Sequence, residues 1–145
     1  MPWTPKQTVV VPIDFSDASV NAIQVGMDCA ERPDGVRVVH VLPPLSLLTQ
    51  GSLDAVLSDE SHMETARQSL DNFILEHGFR GVTSVIMVGN PGGAIVDYAN
   101  KCGADMIVIP SHGYSGFKRA LVGSTAERVL RHAECPVLVL RRAED

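Results

Sequence analysis

Five short runs along the chain are dense in valine and isoleucine with little polar alternation: Thr8–Ile13, Val36–Leu42, Val82–Val88, Asp105–Ile109 and Pro136–Leu140. A strand with one wet face alternates apolar and polar residues; a strand covered on both faces does not. The runs therefore predict a parallel sheet buried on both sides. Between them the apolar period changes to that of a helix. The first helical segment spans about Asp17 to Glu31, with Ser16 as N-cap and an apolar stripe of Val20, Ile23, Met27 and Ala30. The second spans about Asp59 to His77; Ser61 and Glu64 have capping-box spacing, and Gly78 follows as a stop. The third opens at Asn90-Pro91, a cap followed by proline at the first helical position, and ends before Gly103. The fourth opens at Ser124, again with Ser-x-x-Glu spacing, to Glu127. Strands alternating with helices in this order predict a doubly wound α/β domain, and residues 1–145 read as one such domain with no internal repeat or linker. One connection breaks the pattern. Pro43 to Ser58 joins the second strand to the second helix over 16 residues, and connections that long usually carry function or structure of their own. Its Leu45, Leu47, Leu48, Leu53, Val56 and Leu57 predict packing on a neighbour or a helical turn.

Composition narrows the partners. Apolar residues make up 45% and charged residues 20% of the 145-residue chain, an ordinary globular balance. The net charge of −5 argues against nucleic acid or an anionic membrane as a partner. The basic pairs Lys118-Arg119 and Arg141-Arg142 read as solvated surface. No apolar run reaches the ~18 residues of a membrane span, and the N-terminus lacks the apolar stretch of a signal peptide. Cys29, Cys102 and Cys135 are odd in number, have no metal-ligand spacing and sit in or beside apolar segments. They read as free thiols, and the chain as cytoplasmic.

The candidate chemistry is concentrated late in the chain. Pro110-Ser111-His112-Gly113 is followed by nine residues and then Gly123-Ser124-Thr125-Ala126-Glu127. Small residues between a buried strand and a helix N-terminus let backbone N–H groups face an anion, most often a phosphate. The spacing is not that of the GxxxxGK[ST] phosphate loop, and no GxGxxG occurs. In open parallel sheets ligands bind beyond the carboxyl ends of the strands, where the strand order reverses. With the first strand central between the second and fourth, Asp14 comes opposite this block. Asp14 can bond ribose hydroxyls or help hold a divalent ion beside phosphates; equally, Asp14 or Ser16 can cap the first helix. Ser124 can close a capping box with Glu127, or its hydroxyl and the N–H groups of Ser124 and Thr125 can bind phosphate. His112 reads as a phosphate contact, an acid or base, or a structural loop histidine. Ser111 and His112 are chain neighbours without a third triad member, which argues against a Ser-His nucleophile.

These residues resemble the universal stress protein family. Val9-Val-Val-Pro-Ile-Asp-Phe-Ser resembles its first strand and turn, His40-Val41 the end of its second strand, and Gly89-Asn-Pro with Ile95 and Ala99 the start of its third helix. Asp105 through Gly113, Gly123 through Val129 and Cys135 through Leu140 resemble its C-terminal half. The match is weakest over residues 43–80.

The resemblance implies a five-stranded parallel sheet in order 3-2-1-4-5 with helices on both faces, usually dimeric, and in one branch an ATP site. That branch is marked by Gly-x-x-Gly, nine residues, Gly-Ser/Thr. Here Pro110 stands at the first glycine, while Gly113, Gly123 and Ser124 keep the spacing. By the same resemblance Pro12, Asp14 and Val41 face adenine and ribose. Pro110, Ser111, His112, Gly113, Tyr114, Ser115 and Gly116, with Gly123, Ser124 and Thr125, face ribose and phosphates, and Asp14 is a candidate Mg²⁺ ligand.

The expectation is an ATP- and Mg²⁺-binding stress-response protein, a homodimer through the 136–140 edge strand, acting as sensor or adaptor on an unknown protein partner. Hydrolysis is slow at most, because no lysine holds a phosphate-loop position and no base is aimed at a water. The rival within the family is an adaptor that binds no nucleotide, on the strength of Pro110. An ATP pyrophosphatase or adenylyltransferase is disfavoured, since Asp14-Phe15-Ser16-Asp17 stands where a serine-glycine-glycine loop or a His-x-x-His motif belongs.

Overall fold

The computed structural model describes residues 5–44, 53–111 and 122–141. In chain order its elements are β1 (Val9–Pro12), α1 (Asp17–Cys29), a single 3₁₀ turn (Pro33–Gly35), β2 (Val36–Leu42), α2 (Leu53–Glu76), β3 (Thr83–Val88), α3 (Pro91–Lys101), β4 (Met106–Pro110), α4 (Ser124–His132) and β5 (Val137–Leu140). The strands form one five-stranded sheet in the order β3-β2-β1-β4-β5. Every neighbouring pair is parallel.

Period-two alternation sends each strand's side chains to two separate cores. Val9 and Val11 of β1, with Val36 and Val38 of β2 and Val108 of β4, pack under α1 and α2 against Ile23, Leu70 and Ile74. Val10, Val39, Ile107 and Ile109 face the other way, against Ile95, Val96 and Ala99 of α3 and Ala126 and Val129 of α4. The central strand β1 is buried along its whole length. The near-continuous apolar character of these runs follows from that double cover.

The chain moves outward from β1 to β3 with its helices on one face, then returns to β4 with its helices on the other. The order therefore reverses between β1 and β4, and the carboxyl ends of those two strands flank the switch point.

The structure departs from the sequence expectations at several ends. α2 begins at Leu53 rather than near Asp59, so part of the 43–58 connection is helix; residues 45–52 lie outside the described residues. Ser61 is inside that helix and caps nothing: Thr65 Oγ1 donates to the Ser61 carbonyl at 3.1 Å. α1 stops at Cys29, where the Ala30 N–H bonds the Gly26 carbonyl. β4 reaches Pro110, one residue further than expected. Asn90 caps α3 as predicted, its side chain accepting from the Gly93 N–H at 3.3 Å. Among the described residues no helix is long and apolar enough to cross a membrane. The three cysteines are free and partly buried, and burial raises the thiol pKa of Cys29 and Cys135 above the ordinary value.

Candidate functional site

The carboxyl end of β1 leads into a tight turn built on Asp14. The Ile13 N–H continues the ladder to the Val39 carbonyl at 2.8 Å. The Asp14 N–H donates to Ser19 Oγ at 3.0 Å. Asp14 Oδ1 accepts three bonds: from the Ser16 N–H at 3.1 Å, the Ser16 hydroxyl at 2.5 Å and the Ser19 hydroxyl at 2.9 Å. Ser16 occupies the N-cap position as expected, but its hydroxyl bonds back to Asp14 rather than to a helix N–H. Asp14 thus anchors the start of α1, which is the structural one of the two roles its spacing left open. Phe15 completes the turn at φ 67°, in the left-handed region, which a bulky side chain rarely adopts.

Beyond β4 the chain is fixed at Ser111 and again at Gly123. The Ser111 N–H donates to the Leu140 carbonyl at 2.8 Å, and the Gly123 N–H donates to the Ser111 carbonyl at 2.5 Å. Ser111 is 2% exposed. The two described ends, Ser111 and Gly123, therefore meet through their backbones. His112, Gly113, Tyr114, Ser115 and Gly116 lie outside the described residues.

α4 begins immediately after the second of these ends. Gly123, not Ser124, is the N-cap, and the helix has no side-chain cap. The predicted box between Ser124 and Glu127 does not form: Glu127 instead bonds Arg131 Nη2 at 2.7 Å, and its N–H takes the Gly123 carbonyl at 2.9 Å. An N-terminus without a side-chain cap leaves first-turn N–H groups and the positive end of the helix dipole available to an anion. Ser124 and Thr125 also line a cleft of about 520 Å³ between the N-terminal turns of α3 and α4, with Arg128, Arg131 and His132 on its walls.

The remaining predicted residues sit on neighbouring strand ends. Pro12 is buried as the last residue of β1. Val41 is partly buried near the end of β2 and packs with the α3–α4 core. Pro110 is the last residue of β4, paired with Leu140. Pro12, Asp14, Val41, Pro110, Ser111, Gly123, Ser124 and Thr125 thus share the carboxyl edge of three adjacent strands. Among the described residues no group of three or more His, Cys, Asp or Glu side chains could hold a metal ion.

Against known families, residues 6–141 match the universal stress protein family. The chain belongs to that family. The universal stress protein MJ0531 of Methanocaldococcus jannaschii is 33% identical over 141 residues, covering 92% of this chain and 81% of the relative. Among solved structures, MJ0577 superposes with a TM-score of 0.77 at 26% identity, covering 96% of this chain and 98% of that one. A universal stress protein from Archaeoglobus fulgidus, solved in complex with dAMP, superposes with a TM-score of 0.58 at 24% identity, covering 92% and 96%. As a universal stress protein the chain has the expected sheet order.

Three polar contacts escaped the sequence reading, two at this edge and one at the opposite end of the sheet. Ser19, fully buried, ties the Asp14 turn to α1. His40 Nδ1 lies 2.8 Å from the Ile13 carbonyl. Asp105 Oδ2 accepts the N–H groups of Gln7 and Thr8, both at 2.9 Å, and so fixes the amino end of β1. Only the Ser-x-x-Ser spacing of Ser16 and Ser19 carried any local signal.

Proposed function

We propose that this universal stress protein binds ATP at the carboxyl ends of β1, β2 and β4 and acts as a dimeric stress-response sensor or adaptor in the cytoplasm, hydrolysing ATP slowly at most. One observation carries the reading: the Ser111–Gly123 hydrogen bond delivers the side-chain-uncapped start of α4 to the switch point of the sheet, where ligands of open parallel sheets bind. Pro12, Asp14 and Val41 take the adenosine end. Ser111, the loop residues His112 to Gly116, Gly123, Ser124 and Thr125 take the phosphates. Arg128, one turn into α4, adds positive potential on the cleft wall, whereas Arg131 and His132 lie in the last turn of the helix and Arg131 is paired with Glu127. The dAMP complex of the Archaeoglobus relative is consistent with adenine-nucleotide binding on this fold.

Mg²⁺ fits this site as an ion carried by the phosphates. Asp14 Oδ1 already accepts three hydrogen bonds, and the described residues offer no protein cage. Mg²⁺ commonly takes one or two carboxylates and fills its octahedron with phosphate oxygens and water. When bound, it would neutralise phosphate charge. The chain's own groups bind and orient the nucleotide, and with no lysine in a phosphate-loop position they contribute little to phosphoryl transfer.

Among the described residues β5 pairs only with β4 and forms one edge of the sheet. Its outer N–H and C=O groups suit antiparallel pairing with a second copy. Val137 and Val139 pack toward the α3–α4 core and Leu140 toward the other, which leaves Leu138, 36% exposed, as the side chain free to cross the dyad.

The test is a thermal melt with millimolar ATP and Mg²⁺, backed by calorimetry. Binding at a hundredfold excess over Kd stabilises the native state by about 2.7 kcal/mol, so the midpoint rises by several degrees. No shift and no heat of binding would leave the adaptor that binds no nucleotide, the reading that Pro110 favours.

A further inference from the structure

We infer that His40 is a positioning residue that presets the Asp14 turn from the face of the sheet opposite the proposed ligand. β2 alternates, and its contacts fix the side on which each residue lies. Val38 and Leu42 pack in the α1–α2 core, whereas Val39 and Val41 pack in the α3–α4 core. His40 lies between Val41 and Val39 in sequence, so its ring points to the α1–α2 side, away from Val41. There its Nδ1 meets the Ile13 carbonyl at 2.8 Å. A carbonyl only accepts, so Nδ1 carries the hydrogen and donates. Both backbone groups of Ile13 are then tied to β2: the N–H through the Val39 carbonyl, the carbonyl through His40.

The same ring holds the turn a second time. Phe15, at φ 67°, packs its ring edge-on against His40 with centroids 4.7 Å apart. On its other side it meets Phe73 of α2 edge-on at 5.5 Å. A left-handed bulky residue persists only where its surroundings over-determine it. Here Phe15 packs against the α1–α2 core, its two ring contacts are one histidine and one phenylalanine, and the histidine also bonds the residue two positions earlier. The row continues through Phe73 to His77 at 4.4 Å, so α2 backs the latch. Asp14 lies between the two held residues. They set its backbone, Ser16 and Ser19 hold its carboxylate, and His40 acts on the ligand only through this turn.

The affinity part of this inference rests on the proposed nucleotide site; the conformational part does not. The test compares His40→Ala with His40→Asn, whose side-chain amide restores a donor near the Nδ1 position. Amide hydrogen exchange is read at Asp14 and Ser16, with Ile107 in the sheet core as the internal reference, and ATP·Mg²⁺ affinity is read by calorimetry. In His40→Ala the Asp14 and Ser16 amides should exchange at least about tenfold faster while Ile107 is unchanged, and ATP should bind about tenfold more weakly. His40→Asn, which restores the donor but not the ring, should recover part of both and fall between His40→Ala and wild type. Wild-type exchange at Asp14 and Ser16 in His40→Ala overturns the latch, whether or not ATP binds. Asn behaving like Ala overturns the hydrogen bond as its basis. Faster exchange with unchanged affinity overturns the link to the site. If wild type binds no ATP, the proposed function fails and the exchange comparison still decides the latch. Should His40→Ala not fold, Phe15→Gly serves: glycine adopts φ 67° unaided but lacks the ring, and unchanged exchange there also overturns the proposal.

Discussion

Removing the Asp14 carboxylate separates the two roles its position allows. In Asp14→Ala the Ser16 N–H, the Ser16 hydroxyl and the Ser19 hydroxyl all lose their acceptor. Hydrogen bonds to a charged group contribute about 1.5–3 kcal/mol each, but the three do not add. Two come from one residue, and the half-exposed Ser16 hydroxyl can turn to water. The Ser19 hydroxyl has Ser16 Oγ 3.4 Å away as a poorer substitute. The loss should therefore be about 2 kcal/mol, seen as a lower urea midpoint at unchanged m-value and, for a chain of this size, a fall of roughly 6–10 °C in Tm. Asp14→Asn keeps an acceptor at Oδ1 and loses only the charge, so it should cost under about 1 kcal/mol. ATP binding discriminates further. If Asp14 also meets ribose or Mg²⁺, Asp14→Asn binds ATP at least about tenfold more weakly while remaining nearly as stable as wild type. Asp14→Ala with wild-type stability would refute the structural argument, and Asp14→Asn with wild-type affinity would refute the ligand role.

Gly26 lies inside α1, where alanine is favoured by about 0.5–1 kcal/mol, yet its Cβ would stand 2.6 Å from Val11 Cγ2 in the central strand; overpacking costs about 1–3 kcal/mol, so Gly26→Ala should lower stability by about 1 kcal/mol, and a more stable variant would defeat the packing argument. Gly123 has φ −71° and ψ 166°, a conformation valine adopts freely, so Gly123→Val should fold normally and lose ATP binding; affinity within threefold of wild type by calorimetry would move the phosphates elsewhere. Pro110→Gly should tighten ATP binding while lowering the melting point, because the unfolded chain gains entropy; equal or weaker binding would show that the ring does not crowd the ligand. Leu138→Lys should shift the protein toward monomer in light scattering at tens of micromolar, and a variant that remains fully dimeric would remove β5 as the interface.

What could be read from the sequence was whatever depends on periodic burial. The five strands, their parallel arrangement and the helix order follow from apolar runs that occupy both faces, and Asn90-Pro91 marks a cap that the structure forms. What failed were motifs whose meaning depends on where the helix starts. Ser61 and Glu64 have box spacing, yet the helix had already begun at Leu53, and a serine inside a helix has no free N–H to cap. Ser124 and Glu127 have the same spacing, but Gly123 takes the cap position and Glu127 goes to Arg131. Long-range polar bonds were invisible for a different reason. Asp105 reaches Gln7 and Thr8 across 98 and 97 positions, and His40 reaches Ile13 across 27. A histidine in a valine-rich strand looks like a tolerated core residue until the neighbouring strand supplies the carbonyl.

Pro110 ends β4 without disturbing the sheet and stands at the mouth of the proposed site. A proline inside a parallel strand would delete a ladder bond and is tolerated only at strand ends or edges. Here the ladder from β4 to β5 uses the Ile107 N–H, to the Pro136 carbonyl at 3.0 Å, and the Ser111 N–H, to the Leu140 carbonyl at 2.8 Å. Pro110 falls between these donors as the last strand residue, so its missing N–H breaks no bond to β5. Its ring also biases Ile109 toward the extended conformation that residue already holds. The stem that positions α4, from the Ser111 carbonyl to the Gly123 N–H, lies one residue beyond and is intact. The proline therefore stiffens the exit from β4 and adds ring volume at the mouth of the proposed site. Its consequence should be felt in affinity, through how closely a ribose or phosphate can approach, and not in whether the sheet forms.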